Sequence, residues 1–138
     1  MTVYELSCKK CGYTLRFRKG VLMSFHNTNR ELLKKMRNGE LGEKFGQAAN
    51  EHPEAVADHS HELYRCVECG ELYGRMAIEL RGAGNTKLVE LEQLCERCGS
   101  NLEMIDGDRS SRKYELSCPC CKEKINRATD QTLIMLAD

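Results

Sequence analysis

The stretch Tyr4-Glu5-Leu6-Ser7-Cys8-Lys9-Lys10-Cys11-Gly12 sets the reading of this chain. Two cysteines separated by two residues bend the backbone so that both sulfurs face one point. A glycine directly after them takes the tight, positive-φ conformation that such a knuckle needs. The same Cys-x-x-Cys unit recurs as Cys66/Cys69, Cys95/Cys98 and Cys118/Cys121, and three of the four units are followed at once by glycine (Gly12, Gly70, Gly99). The lead-in recurs too. Tyr4-Glu5-Leu6-Ser7-Cys8 returns word for word as Tyr114-Glu115-Leu116-Ser117-Cys118, with a looser echo in Leu63-Tyr64-Arg65-Cys66. Alternating apolar residues make these short strands that deliver the chain to each knuckle.

Two knuckles supply the four ligands of a closed tetrahedral site. Cys8, Cys11, Cys66, Cys69, Cys95, Cys98, Cys118 and Cys121 are therefore expected to hold two zinc ions. A rubredoxin-type iron site and a set of reversible dithiols are the alternatives. The division of the eight ligands is open in the sequence. Sequential pairing joins the first knuckle with the second and the third with the fourth, closing inner stretches of 55 and 20 residues. Nested pairing joins the middle two and the outer two, with stretches of 26 and 107. Loop-closure entropy favours the sequential arrangement by about 0.8 kcal/mol.

Composition agrees with a metal-held fold. The chain has 138 residues with nine cysteines, only eight aromatic residues and no Trp. So lean a core usually needs a disulfide or metal staple. The opening residues do not read as a secretory leader, and the longest apolar run, Leu133 to Ala137, is too short to span a bilayer. These features point to a reducing cytoplasm, where metal thiolates outnumber disulfides. Cys120, in Cys118-Pro119-Cys120-Cys121, is the ninth cysteine and falls outside the ligand spacing. It is expected to fill space beside the metal or to serve as a thiol that exchanges into the site on oxidation.

The formal net charge is zero, from 21 basic and 21 acidic side chains, yet it is unevenly spread. Residues 1–37 carry +7 and residues 38–103 carry −7. Eight thiolates and two divalent ions would bring the whole to about −4, which argues against a generic polyanion binder. Between the first two knuckles lies a helical insert, about residues 28–52. Thr28 and Glu31 make a capping box ahead of Leu32, Leu33 and Met36, and Gly39 is a natural stop. A second amphipathic piece carries Leu41, Phe45 and Ala48 or Ala49 and ends before Pro53, with residues 54–62 expected as a return loop. Further on, Met76–Leu80 and Lys87–Leu91 flank a turn at Gly82-Ala83-Gly84-Asn85, and Leu102–Ile105 and Lys113–Leu116 read as a hairpin.

The basic residues of the first part offer a candidate nucleic-acid surface: Arg16, Arg18 and Lys19 on a strand, and Arg30, Lys34 and Arg37 on one helix face. Tyr13 and Phe25 add rings on which bases could stack, a combination suited to RNA or single-stranded DNA. A solvated surface is the plainer account of the same charges. His59 and His61, two residues apart, could mark a third, weak metal site, although eight cysteines already complete two. No phosphate-cradling glycine loop, nucleophile elbow or zinc-protease helix is present, and a four-thiolate zinc has no open position for catalysis.

Tandem Cys-x-x-Cys-Gly knuckles with a helical insert resemble the zinc-ribbon (rubredoxin-like) group. More narrowly, the chain is similar to small uncharacterised bacterial proteins with tandem ribbons. The residues that carry the resemblance are Cys8-Lys9-Lys10-Cys11-Gly12, Asn38-Gly39-Glu40-Leu41-Gly42, Leu63–Gly70 and the Cys95–Cys121 ribbon. Where that narrower group has an aromatic-Pro pair after the first strand, this chain has Phe25-His26. The resemblance implies a small metal-stabilised α+β fold of two zinc ribbons: residues 1–80 with the helical insert, and residues 81–138. Zinc ribbons serve ribosomal proteins, polymerase subunits and protein-docking modules alike, so the resemblance implies fold and metal. The function expected is a non-enzymatic zinc protein acting as an interaction module with a protein partner. A nucleic-acid-binding protein and a thiol redox sensor are the alternatives.

Overall fold

The structure, a computed structural model, describes residues 2–21, 24–105, 116–125 and 131–136. Its elements run β1 (Thr2–Ser7), β2 (Thr14–Lys19), α1 (Phe25–Arg37), α2 (Glu43–Glu51), β3 (Val56–Cys66), β4 (Leu72–Arg81), a 3-10 turn (Ala83–Asn85), β5 (Lys87–Glu90), β6 (Leu102–Met104), β7 (Leu116–Ser117), β8 (Lys124–Ile125) and β9 (Gln131–Leu136). This is a small α+β fold of two helices and mostly strands. The strands form three sheets of order β2-β1-β9, β5-β4-β3-β6 and β7-β8. Among the described residues no helix is long and apolar enough to cross a membrane.

Two compact units make up the chain, each assembled from separated segments. One contains Met1–Gly20, His61–Arg75 and Glu92–Ala137, and the other contains Val21–Ser60 and Met76–Leu91. The expected boundary between residues 80 and 81 therefore matches neither unit. The chain leaves the first unit to build the helices, returns, and leaves again for the β4–β5 hairpin.

The first unit contains all eight knuckle cysteines and one apolar core. Leu6, Phe17, Leu63, Leu72, Ile105, Leu116 and Ile125 are buried there with Cys8 and Cys118. The strand β1 sits between β2 and β9, antiparallel to both, with Ser7 opposite Thr14 at the knuckle end and a register shift between Val3 and Tyr4 on the β9 side. As its alternation predicts, β2 buries Phe17 and leaves Arg16 and Arg18 exposed on the other face. Tyr4 stacks on Phe17 with ring centroids 5.4 Å apart. The expected pairing of Leu102–Ile105 with Lys113–Leu116 falls largely outside the described residues. β6 pairs with the end of β3, Cys66 facing Leu102, and β7 pairs with β8, Leu116 facing Ile125. Residues 106–115, which include most of the expected second strand and its turn, lie outside the described residues.

The second unit packs α1 and α2 over Ala55, Ala57 and Leu80, with Leu32, Met36, Phe45 and Ala49 completing the core. Burying a side chain the size of Met36 or Phe45 stabilises by roughly 1.5–3 kcal/mol each. Gly46, which weakens α2 as an isolated helix, lets the two helices approach closely: a Cβ there would make a tight contact with the carbonyl oxygen of Met36 at 3.3 Å. At its C-terminus α1 closes with the paired hydrogen bonds of a Schellman motif, Gly39 N–H to Met36 O and Glu40 N–H to Lys35 O, with Gly39 at φ +79°. That is the glycine stop the sequence announces. Its start differs from expectation. The helix begins a turn before the Thr28 capping box, at Phe25 after Ser24, with no side-chain cap. The stretch 54–62 is also corrected, since from Val56 it belongs to the eleven-residue strand β3. Ala57 and His59 point inward, and the polar residues between them hid the strand. The β4–β5 hairpin forms as expected, with Leu80 opposite Val89.

Candidate metal centre

Each knuckle is built by the same two hydrogen bonds, repeated four times. The N–H four residues after the first cysteine returns to that cysteine's carbonyl: Gly12 to Cys8 (2.9 Å), Gly70 to Cys66 (3.1 Å), Gly99 to Cys95 (2.9 Å) and Lys122 to Cys118 (2.9 Å). The first cysteine's own N–H reaches the carbonyl five residues on, in Tyr13, Glu71, Ser100 and Glu123. The residue after the second cysteine must then take a left-handed conformation. Gly12, Gly70 and Gly99 sit at φ +84°, +78° and +78°, and Lys122 is forced to +68°.

Eight cysteines form two groups: Cys8, Cys11, Cys118 and Cys121, and Cys66, Cys69, Cys95 and Cys98. Within each, the four sulfurs lie within 4.8 Å of one another, and each group could hold a metal ion. They are the only such groups of His, Cys, Asp or Glu among the described residues. The pairing is nested, which corrects the sequential arrangement favoured from loop lengths. An entropy difference below 1 kcal/mol is easily outweighed by packing, and the core that gathers Leu6, Leu116 and Ile125 brings the outer knuckles together.

The sulfur spacing fits a metal and not a disulfide. Cys8 lies 3.5 Å from Cys121, Cys11 3.5 Å from Cys118, Cys66 3.4 Å from Cys98 and Cys69 3.7 Å from Cys95. A tetrahedron of sulfurs at about 2.3 Å from zinc has edges of about 3.8 Å, whereas a disulfide needs about 2.05 Å. The first cysteine of every knuckle is buried, while Cys11 and Cys98 are exposed and Cys69 and Cys121 are half-buried. Each group thus has an inner edge in the core and an outer edge facing solvent. Cys120 is exposed and belongs to neither group.

The environment prepares these thiols for a cation. The Tyr73 hydroxyl hydrogen-bonds the Cys95 sulfur at 3.2 Å. That bond is the largest of the influences that lower the Cys95 thiol to about 6 against the opposing effect of burial. In the other group the Cys11 backbone N–H is the main cause that brings Cys8 down to about 7. Cys69 goes the opposite way. The N–H of Glu71 favours its thiolate, but burial and the neighbouring thiols Cys66, Cys95 and Cys98 outweigh this and hold it up at about 11. Cys95 and Cys98 are thus lowered in one group and Cys8 in the other, while Cys69, Cys11 and Cys121 are raised. A divalent ion would displace the protons of the raised thiols.

Tyr73 is a residue the sequence reading missed. Aligning the four knuckles exposes it: seven residues after the first cysteine stand Leu15, Tyr73, Leu102 and Ile125, so the second knuckle alone has a polar handle there. Arg75 holds its ring, with the guanidinium 4.8 Å from the ring centroid, and is itself paired to Glu96 at 3.1 Å. Across each group one surface ion pair ties the two knuckles, Lys10 to Glu123 at 2.9 Å and Arg97 to Glu71 at 3.4 Å. Exposed pairs of this kind contribute about 0–1 kcal/mol.

The six candidate nucleic-acid residues are divided between the two compact units: Arg16, Arg18 and Lys19 in the first, Arg30, Lys34 and Arg37 in the second. Arg16 is paired with Glu5 at 2.9 Å and Lys19 with Glu62 at 3.1 Å, and Arg37 donates to the Pro53 carbonyl. His59 is buried and bonded to Asn29, and neither it nor His61 joins a metal-capable group. A comparison of the chain with family models, with curated proteins and with solved structures finds no match.

Proposed function

We propose that the chain is a non-enzymatic protein with two structural zinc ions, each in a four-cysteine ribbon of the zinc-ribbon type. The observation that carries this is the geometry of the two groups, with four sulfurs within 4.8 Å of one another and the first cysteine of every knuckle buried in the core. Cys8, Cys11, Cys118 and Cys121 hold one ion, and Cys66, Cys69, Cys95 and Cys98 the other. Four thiolates close the coordination shell, so zinc here stabilises structure and has no vacant position for a reacting water. Zinc is preferred to iron because ferrous iron binds the same donors more weakly. Elemental analysis of purified protein is expected to return two zinc per chain. One metal per chain, or iron in place of zinc, would overturn the assignment.

The role supported best is presentation of a surface to a protein partner. A holo-charge of about −4, together with basic side chains already paired to Glu5 and Glu62, favours this over nucleic acid. Filter binding to single-stranded RNA at rising salt separates the two readings. No binding is expected. A steep salt dependence abolished by Lys34→Glu with Arg37→Glu would replace the protein partner by nucleic acid.

A further inference from the structure

The unit that carries none of the knuckle cysteines contains a cleft of about 440 Å³. That size lies within the range of about 300–1,000 Å³ typical of small-molecule sites. One side of it is apolar, made by Phe25 and Leu33 of α1 with Val56 and Ala57 at the start of β3. Val56 is 56% exposed. The Phe25 ring packs on His26 with centroids 4.0 Å apart, which widens the aromatic wall.

The polar side is built with more care than a surface patch. His59, 3% exposed, bonds Asn29 Oδ1 through its Nδ1 at 2.5 Å. An amide oxygen only accepts, so the imidazole proton sits on Nδ1. The ring's Nε2 is buried with no partner, so its one side-chain hydrogen bond goes to Asn29. A half-satisfied buried imidazole is tolerated where it positions something else. Here it fixes an amide that lines the cleft. The Asn29 Nδ2 donor and the exposed guanidinium of Arg30 beside it have no partner among the described residues.

The other charges around the cleft are already engaged. The Arg81 guanidinium is held by Glu79 at 2.6 Å and by the Asn85 carbonyl at 3.0 Å. Asp58 accepts the His59 backbone N–H at 2.9 Å. Facing the opening are the Arg30 cation and the oriented Asn29 amide next to an aromatic wall, with the Asp58 carboxylate, held by a backbone N–H, also in the lining.

We propose that this cleft binds a small aromatic oxyanion, its ring against Phe25, Leu33 and Val56 and its anionic group on Arg30 and the Asn29 amide. The inference is independent of the metal assignment, because none of these residues is a ligand. The test uses zinc-replete full-length protein and two fluorescent probes, anilinonaphthalene sulfonate and its uncharged counterpart phenylnaphthylamine. Saturable one-to-one binding of the sulfonate is expected, with amide NMR shifts centred on Phe25, Asn29, Arg30 and Ala57. Arg30→Glu, a change at an exposed position, should weaken the sulfonate at least about tenfold and leave the uncharged probe unchanged. Val56→Glu should weaken both. Equal losses of both probes in Arg30→Glu, an unaltered sulfonate affinity, or shifts confined to the cysteine-bearing unit would each overturn the proposal.

Discussion

The two four-cysteine groups repeat one knuckle four times but differ in how much chain they close. The Cys66/Cys69/Cys95/Cys98 group spans 26 residues between its inner cysteines, and the Cys8/Cys11/Cys118/Cys121 group spans 107. The inner group also has the Tyr73 hydroxyl on a sulfur, whereas the outer group has no such support among the described residues. The outer group depends on the inner one for more than chain closure, since Cys8 and Cys118 share a core with Leu63 and Leu72, the residues that flank the second knuckle. One repeated motif is thus expected to give a more autonomous inner site and a more dependent outer one.

Removing a ligand tests that asymmetry most severely. Cys95→Ser leaves three thiolates in the inner group and loosens the core behind the outer one. It is expected to bring zinc well below one per chain in the presence of a competing chelator. Cys118→Ser should lose only the outer ion and retain about one. In each case the affected site weakens by more than about 100-fold, beyond what loss of an outer hydrogen bond does. Equal zinc content in the two variants would show that the sites do not differ in dependence.

Tyr73→Phe removes a single hydroxyl and should act on the inner group alone. Loss of a hydrogen bond to a metal ligand lowers affinity between about 10- and 100-fold. The expected outcome is faster zinc transfer from the inner site with the outer one retained, read with single-site variants as references. Should the outer site respond as strongly, Tyr73 would be acting through the shared core. In the unmutated protein the difference is smaller. By loop closure alone the outer ion should leave first in a chelator titration, by about tenfold.

How much of this was legible follows from the size of each effect. The ligands could be read because Cys-x-x-Cys-Gly is a local backbone requirement, and local requirements are written in adjacent residues. Their partition could not, because loop entropies differ by less than about 1 kcal/mol and the deciding core draws on Leu6, Leu63 and Leu116 from distant segments. The early half of β3 was missed because Asp58-His59-Ser60-His61-Glu62 looks like a loop, although its inward residues, Ala57 and His59, are all that the burial pattern demands. The start of α1 was misplaced for a related reason. A Thr28–Glu31 capping box is a strong local signal, yet the helix begins a turn earlier at Phe25 without a side-chain cap.

The fourth knuckle offers the finest test of the comparison, because it breaks the glycine rule its three siblings obey. Lys122 occupies φ +68°, where a residue with a Cβ is disfavoured by roughly 1–2 kcal/mol. Its ammonium offsets part of that, donating to the Pro119 carbonyl at 3.0 Å and reaching the Cys69 carbonyl of the inner group at 3.4 Å. Lys122→Met keeps the strained backbone and removes the donor, so it should destabilise by about 0.5–1 kcal/mol. Lys122→Gly removes both and should be about 1 kcal/mol more stable than the Met variant, returning the protein close to its original stability. Urea unfolding of the zinc-loaded variants measures the difference. A Gly variant no more stable than the Met variant would mean that the knuckle tolerates the left-handed lysine without strain, and that the amine alone accounts for its place between the two metal groups.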